Sequence, residues 1–266
     1  MPGYYHELRK FPGRDNALRA LTRYSLYRVM LYRTNLYTHS ERVAALVRAI
    51  NPTAESIFGT TYDPVKAELL GFVHDDAELI FGDIQAGNKS KMTPDQLKEV
   101  REAEHKAIGE IAQRFPERIA GYSYKTLLKD AADHTSIESQ VMCYADKYDA
   151  LGEALHEIYA GNRCFTTNVV NEYGHIPTPP EYYTEYFAHF PDKFPDLRPL
   201  LAVGLTLFRP VVLKDYDSIA KTHSPHGLES LTRPTGDTHY DEWRRIVLAD
   251  TNDEVIRDLY VTKEHL

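Results

Sequence analysis

The titratable residues His74, Asp75 and Glu78 lie within a largely apolar stretch of the sequence. Residues 72–73 and 79–81 on either side are all apolar, so the segment has the composition of a buried helix. A buried histidine and carboxylate need partners, because an unpaired charge in apolar surroundings costs several kcal/mol. In a continuous helix Glu78 would lie one turn beyond His74 on nearly the same face. The pattern predicts a site for acid–base or metal chemistry.

His39 and Asp146 have the same unusual character on two other predicted helices. His39 falls in the first turn of one helix, and Asp146 lies on the apolar side of a long one. The solvent-facing side of that long helix is predicted to carry Lys147 and Glu153. Imidazoles and carboxylates on three helices that pack together are explained by a divalent ion with open positions for water and phosphate.

The order of these residues resembles that of the HD-domain metal-dependent phosphohydrolases. The segment HDDAELIFGDI is similar to the HDxxExxxGDx segment of one branch, the YfbR-type 5′-deoxynucleotidases. ADKYDAL followed by AGN is similar to a third segment of that branch, and RYSLYR at residues 23–28 resembles a paired-arginine stretch before the first histidine. The resemblance covers roughly residues 20 to 200.

The resemblance implies a ligand set and a catalytic pair. The ligands of a divalent ion, which would be Co, Mn, Zn or Mg, are the four residues His39, His74, Asp75 and Asp146. Glu78 and Asp83 are implied to act on the attacking water and the substrate.

The substrate-binding residues implied are Arg23, Tyr24 and Lys89. Arg23 corresponds to a phosphate contact, and Tyr24 stands where family members usually have an aromatic residue, often tryptophan. Family members have a proline-rich turn after the GD pair, whereas residues 84–87 here are Ile-Gln-Ala-Gly. Lys89 and Lys91 after this turn could meet a longer phosphate chain or be solvated.

Other roles remain open for several of these residues. Asp149, one turn beyond Asp146, is an alternative ligand that periodicity does not exclude. Glu78 could hold His74 in the required tautomer, and Asp83, which follows Gly82, could be a turn residue.

His105 and His134 could complete a site with a second metal ion, as in larger HD phosphodiesterases. His105 fits equally well as a packed helix residue.

The elements that must position these residues show helical periodicity. A Thr38-His39-Ser40-Glu41 capping box predicts the start of a helix, and Pro52 is predicted to end that helix. No alternating strand pattern appears in the first half of the sequence. The predicted helices cover residues 15–31 (in one or two segments), 38–52, 64–81, 94–115 and 137–158, the last stopped by Gly161. Beyond about residue 165 proline and tyrosine are frequent, and the pattern is less informative.

Composition excludes several classes of protein. The chain has 266 residues with 31 basic and 39 acidic side chains, a net charge of −8, which argues against a surface that grips duplex nucleic acid. Two cysteines outside any CxxC pair support neither a disulfide framework nor a cysteine zinc site. The most apolar stretch, residues 200–213, is interrupted by Arg209 and Pro210 and is too short to span a bilayer. The first residues lack the apolar core of a secretory signal, which predicts a cytoplasmic location.

Together these features predict an all-α fold. Residues 1–200 would form the HD-domain helical bundle, and residues 201–266 a C-terminal extension of unknown role packed on it. The function implied is removal of phosphate from deoxynucleoside 5′-monophosphates by a homodimer. The alternatives are a deoxynucleoside triphosphate triphosphohydrolase, a cyclic- or signalling-nucleotide phosphodiesterase, and a nucleotide-binding module without turnover.

Overall fold

The protein is an all-α bundle with two small β-hairpins, as seen in a computed structural model that describes residues 5–8, 10–82, 84, 86–115 and 117–260. The α-helices are α1 (Tyr5–Leu8), α2 (Arg14–Ala20), α3 (Leu36–Phe58), α4 (Pro64–Val73), α5 (Glu78–Phe81), α6 (Ala86–Lys89), α7 (Pro94–Ile111), α8 (Tyr124–Asp133), α9 (Ile137–Tyr159), α10 (Pro179–Lys193), α11 (Arg198–Leu201), α12 (Tyr216–Thr222), α13 (Thr238–Asp250) and α14 (Asp253–Arg257). Short 3₁₀ helices cover Gly59–Thr61, Arg163–Thr166, Pro195–Leu197, Thr206–Phe208 and Leu228–Ser230. The antiparallel hairpins pair β1 (Arg118–Ile119) with β2 (Tyr122–Ser123) and β3 (Val169–Asn171) with β4 (Gly174–Ile176).

Helices α3, α4 and α9 pack against one another in the centre of the protein. They bury an apolar cluster that includes Val43, Leu69 and Leu151. At the contact of α3 with α4, a Cβ atom on Gly71 would lie 2.9 Å from Ala44 Cα. Because Gly71 has no side chain, the two backbones can approach this closely.

Helix α3 differs from its prediction at both ends. Asn35 caps it, accepting a hydrogen bond from the Thr38 backbone N–H at 3.0 Å, so the predicted cap at Thr38 was wrong. The helix also continues through Pro52 to Phe58. An interior proline removes a hydrogen bond and costs about 3 kcal/mol, which the packing of this central helix outweighs.

The predicted helix over residues 64–81 is broken at the histidine. Helix α4 ends at Val73, and hydrogen bonds from each N–H to the carbonyl three residues earlier form a tight turn that leads into α5. Asp76 explains the break. It is completely buried, where Arg14 Nη2 and Tyr124 Oη donate to its carboxylate, each at 2.7 Å. These distant partners hold the turn in place.

The predicted helices over residues 94–115 and 137–158 were confirmed with small changes, whereas most of the predicted helical region over residues 15–31 was wrong. Helix α7 ends four residues before the predicted end, and α9 matches the predicted helix within one residue. Of the predicted helical region at residues 15–31, only the start is helical, in α2. No helix in the part of the chain that the structure describes is long and apolar enough to cross a membrane.

The chain after residue 200 contacts the central helices. Helix α13 packs against α3 and α9 and contributes Trp243, which is completely buried. Its indole lies over Gly152 of α9, where a Cβ atom would come within 2.3 Å of three ring atoms.

Candidate metal centre

Two imidazole nitrogens from neighbouring helices face each other at the end of α4. His39 lies in α3 and His74 caps α4, and their Nε2 atoms are 3.2 Å apart. His74 Nδ1 donates to the Gly71 carbonyl oxygen at 2.9 Å, and His39 Nδ1 lies 2.7 Å from Asp149 Oδ2. Because these two acceptors have no proton to give, both rings carry their proton on Nδ1 when neutral. Both Nε2 lone pairs therefore point into the same space.

Two carboxylates border that space. Asp75 Oδ2 lies 3.3 Å from His74 Nε2 and 3.5 Å from His39 Nε2. Asp146 Oδ1, from α9, lies 3.2 Å from His39 Nε2. The structure thus brings together all four residues that the resemblance implied as metal ligands.

The electrostatics of the cluster favour a cation. Burial alone would lower the pKa of His74, but the neighbouring Asp75 carboxylate overrides it and raises the pKa to about 9. Burial likewise opposes ionisation of Asp146, yet Lys147 and His39 hold its pKa well below the usual value. The carboxylates therefore stay ionised, and their negative field attracts positive charge to the space between the rings.

The donor set fits one divalent ion. Two nitrogens that each lie about 2.0–2.1 Å from one ion are roughly 3 Å apart, close to the 3.2 Å between the two Nε2 atoms. Without a cation between them, two lone pairs at that distance repel. Mixed imidazole and carboxylate ligands are typical of Zn, Mn or Co rather than of a pure magnesium cage.

A second group of possible ligands, His39, Asp149 and Glu153, lies next to this one. The carboxylates of this second group are already paired with an arginine. Arg42 Nε donates to Asp149 Oδ1 at 2.9 Å, and Arg42 Nη2 donates to Glu153. Burial raises the pKa of Asp149, but Arg42 and His39 outweigh this effect and lower it to about 2. Asp149 therefore faces the Nδ1 side of His39, whereas Asp146 faces the Nε2 side.

The predicted solvent exposure of Glu153 was wrong. Only 7% of it is exposed, because Thr34, Arg42 and Arg23 all bond its carboxylate. Lys147 is partly buried as well, with its ammonium 2.6 Å from Asp146 Oδ2.

The cluster opens into a cavity of about 450 Å³. Arg23, Glu78 and Lys89 all line it, together with His74, Asp75 and Asp146. The Arg23 guanidinium lies 3.6 Å from Asp75 Oδ2 and donates from Nε to Glu153 at 3.1 Å. Asp83 lies outside the described residues.

Tyrosines form much of the remaining wall of this cavity. Tyr27, Tyr182, Tyr183 and Tyr186 line it, as does Tyr24. The Tyr24 hydroxyl donates to the Ala150 carbonyl oxygen at 2.5 Å, so only its ring is presented to the cavity. Lys91 is exposed and does not line it.

The structure does not bring His105 and His134 into a second metal site. His105 Nε2 pairs with Asp133 at 3.0 Å on the half-exposed surface, and His134 lies at the cavity wall. Among the residues that the structure describes, neither histidine belongs to a group of three possible ligands.

Comparison with known proteins identifies the family. The family model described as 5′-deoxynucleotidase YfbR-like matches residues 11–190. The chain belongs to this family.

Several YfbR-like relatives are named 5′-deoxynucleotidase. The protein VP0926 of Vibrio parahaemolyticus is 30% identical over 135 residues, which are 49% of this chain and 66% of the relative. That of Vibrio cholerae is 30% identical over 128 residues, 48% of this chain and 64% of the relative. The chain thus spans slightly less than two thirds of the length of each. The solved structure of a conserved hypothetical protein from Pyrococcus furiosus aligns with this chain with a TM-score of 0.40 and 20% sequence identity. The alignment covers 53% of this chain and 76% of the Pyrococcus chain.

Two residues near the candidate metal centre of this YfbR-like chain were not predicted from its sequence. Asp149 was weighed only as an alternative ligand, and Trp243 lies beyond the segment that matches the family. The available signals were the single tryptophan of the chain and Gly152 inside a long helix, where glycine is unfavourable.

Proposed function

We propose that the protein is a metal-dependent phosphohydrolase that removes phosphate from deoxynucleoside 5′-monophosphates. The observation that carries this proposal is the convergence of His39, His74, Asp75 and Asp146 at the wall of a cavity that Arg23 and Glu78 also line. Membership of the YfbR-like family and the names of the relatives support it. A cavity of about 450 Å³ is within the range of small-molecule sites.

The four converging side chains would hold one divalent ion. When bound, such an ion polarises a phosphoryl oxygen and makes a bound water more acidic. Its physiological identity among Co, Mn, Zn and Mg is part of the proposal to be tested.

The residues around the ligands would complete the chemistry. Arg23 would bind phosphoryl oxygens, for which the planar guanidinium offers paired donors. Glu78 would orient the attacking water and accept its proton, and Asp83 would pass a proton to the departing 5′ oxygen. Lys89, which also lines the cavity, would contact the phosphate. No covalent intermediate is required.

The tyrosines would hold the nucleoside. Aromatic rings bind bases by stacking, worth about 1–3 kcal/mol for each base, and Tyr27, Tyr182 and Tyr186 present rings to the cavity. The Tyr24 ring would lie against the sugar, since it follows the phosphate-binding arginine in the sequence.

A panel of nucleotides tests this proposal. Purified protein with added Mn²⁺ or Co²⁺ is incubated with dAMP, AMP and dATP, and the phosphate products are separated. We expect orthophosphate from dAMP, slower release from AMP, and no release with EDTA. Binding of dAMP without turnover under every metal condition would instead identify a nucleotide-binding module.

The second candidate, a deoxynucleoside triphosphate triphosphohydrolase, is favoured by one observation. Besides Arg23, Lys89 and Lys193 line the cavity and would contact a longer phosphate chain, whereas Lys147 is paired with Asp146. Release of intact tripolyphosphate from dATP in the same panel would support this candidate.

We also propose that the protein acts in the cytoplasm as a homodimer. Cys143 and Cys164 are both free thiols, which is typical of a reducing compartment. Light scattering on the purified protein tests the dimer, and fractionation of cells tests the location.

A further inference from the structure

The carboxylate of Asp149 is held by three side chains from two helices, His39 and Arg42 of α3 and Trp243 of α13. It is completely buried, and His39 Nδ1 donates to its Oδ2 at 2.7 Å. Arg42 Nε donates to Oδ1 at 2.9 Å, and the indole Nε1–H of Trp243 donates to Oδ1 at 2.7 Å. The donors on Oδ1 fix the rotation of the carboxylate, so that Oδ2 points at the imidazole.

That hydrogen bond orients the His39 ring. Because ionised Asp149 can only accept, the proton of neutral His39 lies on Nδ1, and Nε2 presents its lone pair 3.2 Å from both His74 Nε2 and Asp146 Oδ1. Partners of this kind fix the tautomer and direction of metal-binding histidines, and their loss typically weakens metal affinity by about 10- to 100-fold.

The indole of Trp243 reaches the Asp149 carboxylate because it packs against Gly152, which has no side chain. Gly152 lies one turn after Asp149 in α9, and a Cβ atom there would come within 2.3 Å of the ring. Glycine inside a helix costs about 1 kcal/mol relative to alanine, and the space it leaves is filled by Trp243. The tryptophan belongs to α13, outside residues 11–190 that match the family.

We propose that Asp149 and Trp243 are positioning residues for His39, so that the C-terminal segment is part of the metal centre. This inference rests on the proposed function insofar as His39 is a metal ligand. Arg42 neutralises the buried charge of Asp149, whereas Trp243 fixes the orientation of its carboxylate. Loss of the indole N–H therefore loosens the His39 ring without leaving the carboxylate unpaired.

The test compares two substitutions to phenylalanine in the same helix. Trp243→Phe keeps an aromatic ring but removes the N–H, and Tyr240→Phe removes a buried hydroxyl that bonds His156 Nδ1 at 2.9 Å and makes no contact with Asp149. Co²⁺ is the probe, with its dissociation constant measured by equilibrium dialysis and its ligand field by visible absorption. No substrate is present.

We expect Trp243→Phe to weaken Co²⁺ binding roughly 3- to 10-fold and to change the cobalt spectrum, and Asp149→Asn to weaken binding by about 10- to 100-fold. Tyr240→Phe should match the wild type in both measurements, although it also loses buried hydrogen bonds, to His156 and His226. If Asp149→Asn does not fold, the Co²⁺ affinity and spectrum of Trp243→Phe alone test the inference.

A wild-type affinity and spectrum in Trp243→Phe would overturn the inference, as would an equal change in Tyr240→Phe. Failure of the metal centre itself has a different signature. In that case the wild-type protein would bind no Co²⁺, or His39→Ala would leave Co²⁺ binding unchanged.

Discussion

His39 Nε2 and His74 Nε2 lie 3.2 Å apart although they come from different helices and are 35 residues apart in the sequence. Each ring has its Nδ1 hydrogen bonded, to Asp149 in one case and to the Gly71 carbonyl in the other. When both rings are neutral, their two lone pairs therefore point into one place next to ionised carboxylates. This preorganisation is the feature from which the proposed chemistry follows.

Asp75→Ala should remove metal binding and activity together. The variant loses the only carboxylate within 3.5 Å of both Nε2 atoms among the described residues, and we expect the affinity for Mn²⁺ to fall by more than about 100-fold, since even indirect partners contribute 10- to 100-fold. Dialysis and phosphate release are measured together. Asp133→Ala, a half-exposed carboxylate paired with His105, is the matched control. Retained activity in Asp75→Ala would contradict its assignment as a ligand.

Glu78→Gln should separate chemistry from metal binding. Glu78 lines the cavity but is not among the residues whose donor atoms converge, so the variant should keep its metal. Amide cannot accept the proton of water, and we expect kcat to fall by about 10²- to 10⁴-fold. Loss of metal together with activity would show instead that Glu78 acts by holding the ligands.

Gly71→Ala should destabilise the protein and weaken the metal site. The added Cβ would lie 2.9 Å from Ala44 Cα, which is backbone and cannot rotate away, so α3 and α4 must separate. Overpacking of this kind costs about 1–3 kcal/mol, measurable by urea unfolding in EDTA. Gly109→Ala in α7 meets nothing within 4 Å and should stabilise the protein slightly. Equal stability of the two variants would refute the close contact.

The protein should lose stability as the pH falls below about 6.5, partly through two buried histidines. Burial lowers the pKa of His156 well below its ordinary value of 6.5, and burial and Arg244 lower that of His226 to about 4. The unfolded chain therefore takes up these protons first, so their contribution is complete above pH 6.5 and declines toward pH 4.

The test of this pH dependence is His226→Gln. Each proton contributes a slope of up to about 1.4 kcal/mol per pH unit, so the variant should show a shallower fall in unfolding free energy between pH 6.5 and 4. His189→Gln makes the same change at an exposed position and serves as the control. An unchanged slope in His226→Gln would mean that this histidine takes up its proton without opposing the fold.

The sequence was sufficient to predict those features that depend on residues close together in the chain or on a family pattern. The periodicity of α7 and α9 predicted those helices, because the residues of an apolar stripe lie within a few residues of one another. The ordered set of His39, His74, Asp75 and Asp146 predicted which side chains meet, because its spacing resembles that of a family.

Features set by distant partners could not be predicted from the sequence. The break after Val73 depends on Asp76 pairing with Arg14, 62 residues away. Burial of Glu153 depends on Arg42 and Thr34, and neither is near it in the sequence. Contact of α13 with the candidate metal centre requires Trp243 to meet Asp149 across 94 residues, and no local pattern indicates that.

The most direct test is the anomalous scattering of crystals grown with Mn²⁺. We expect one peak bounded by His39 Nε2, His74 Nε2 and the carboxylates of Asp75 and Asp146, at the wall of the cavity that contains Arg23. A peak elsewhere, or no peak with these four side chains bonded only to one another, would contradict the metal centre and the hydrolase chemistry that depends on it.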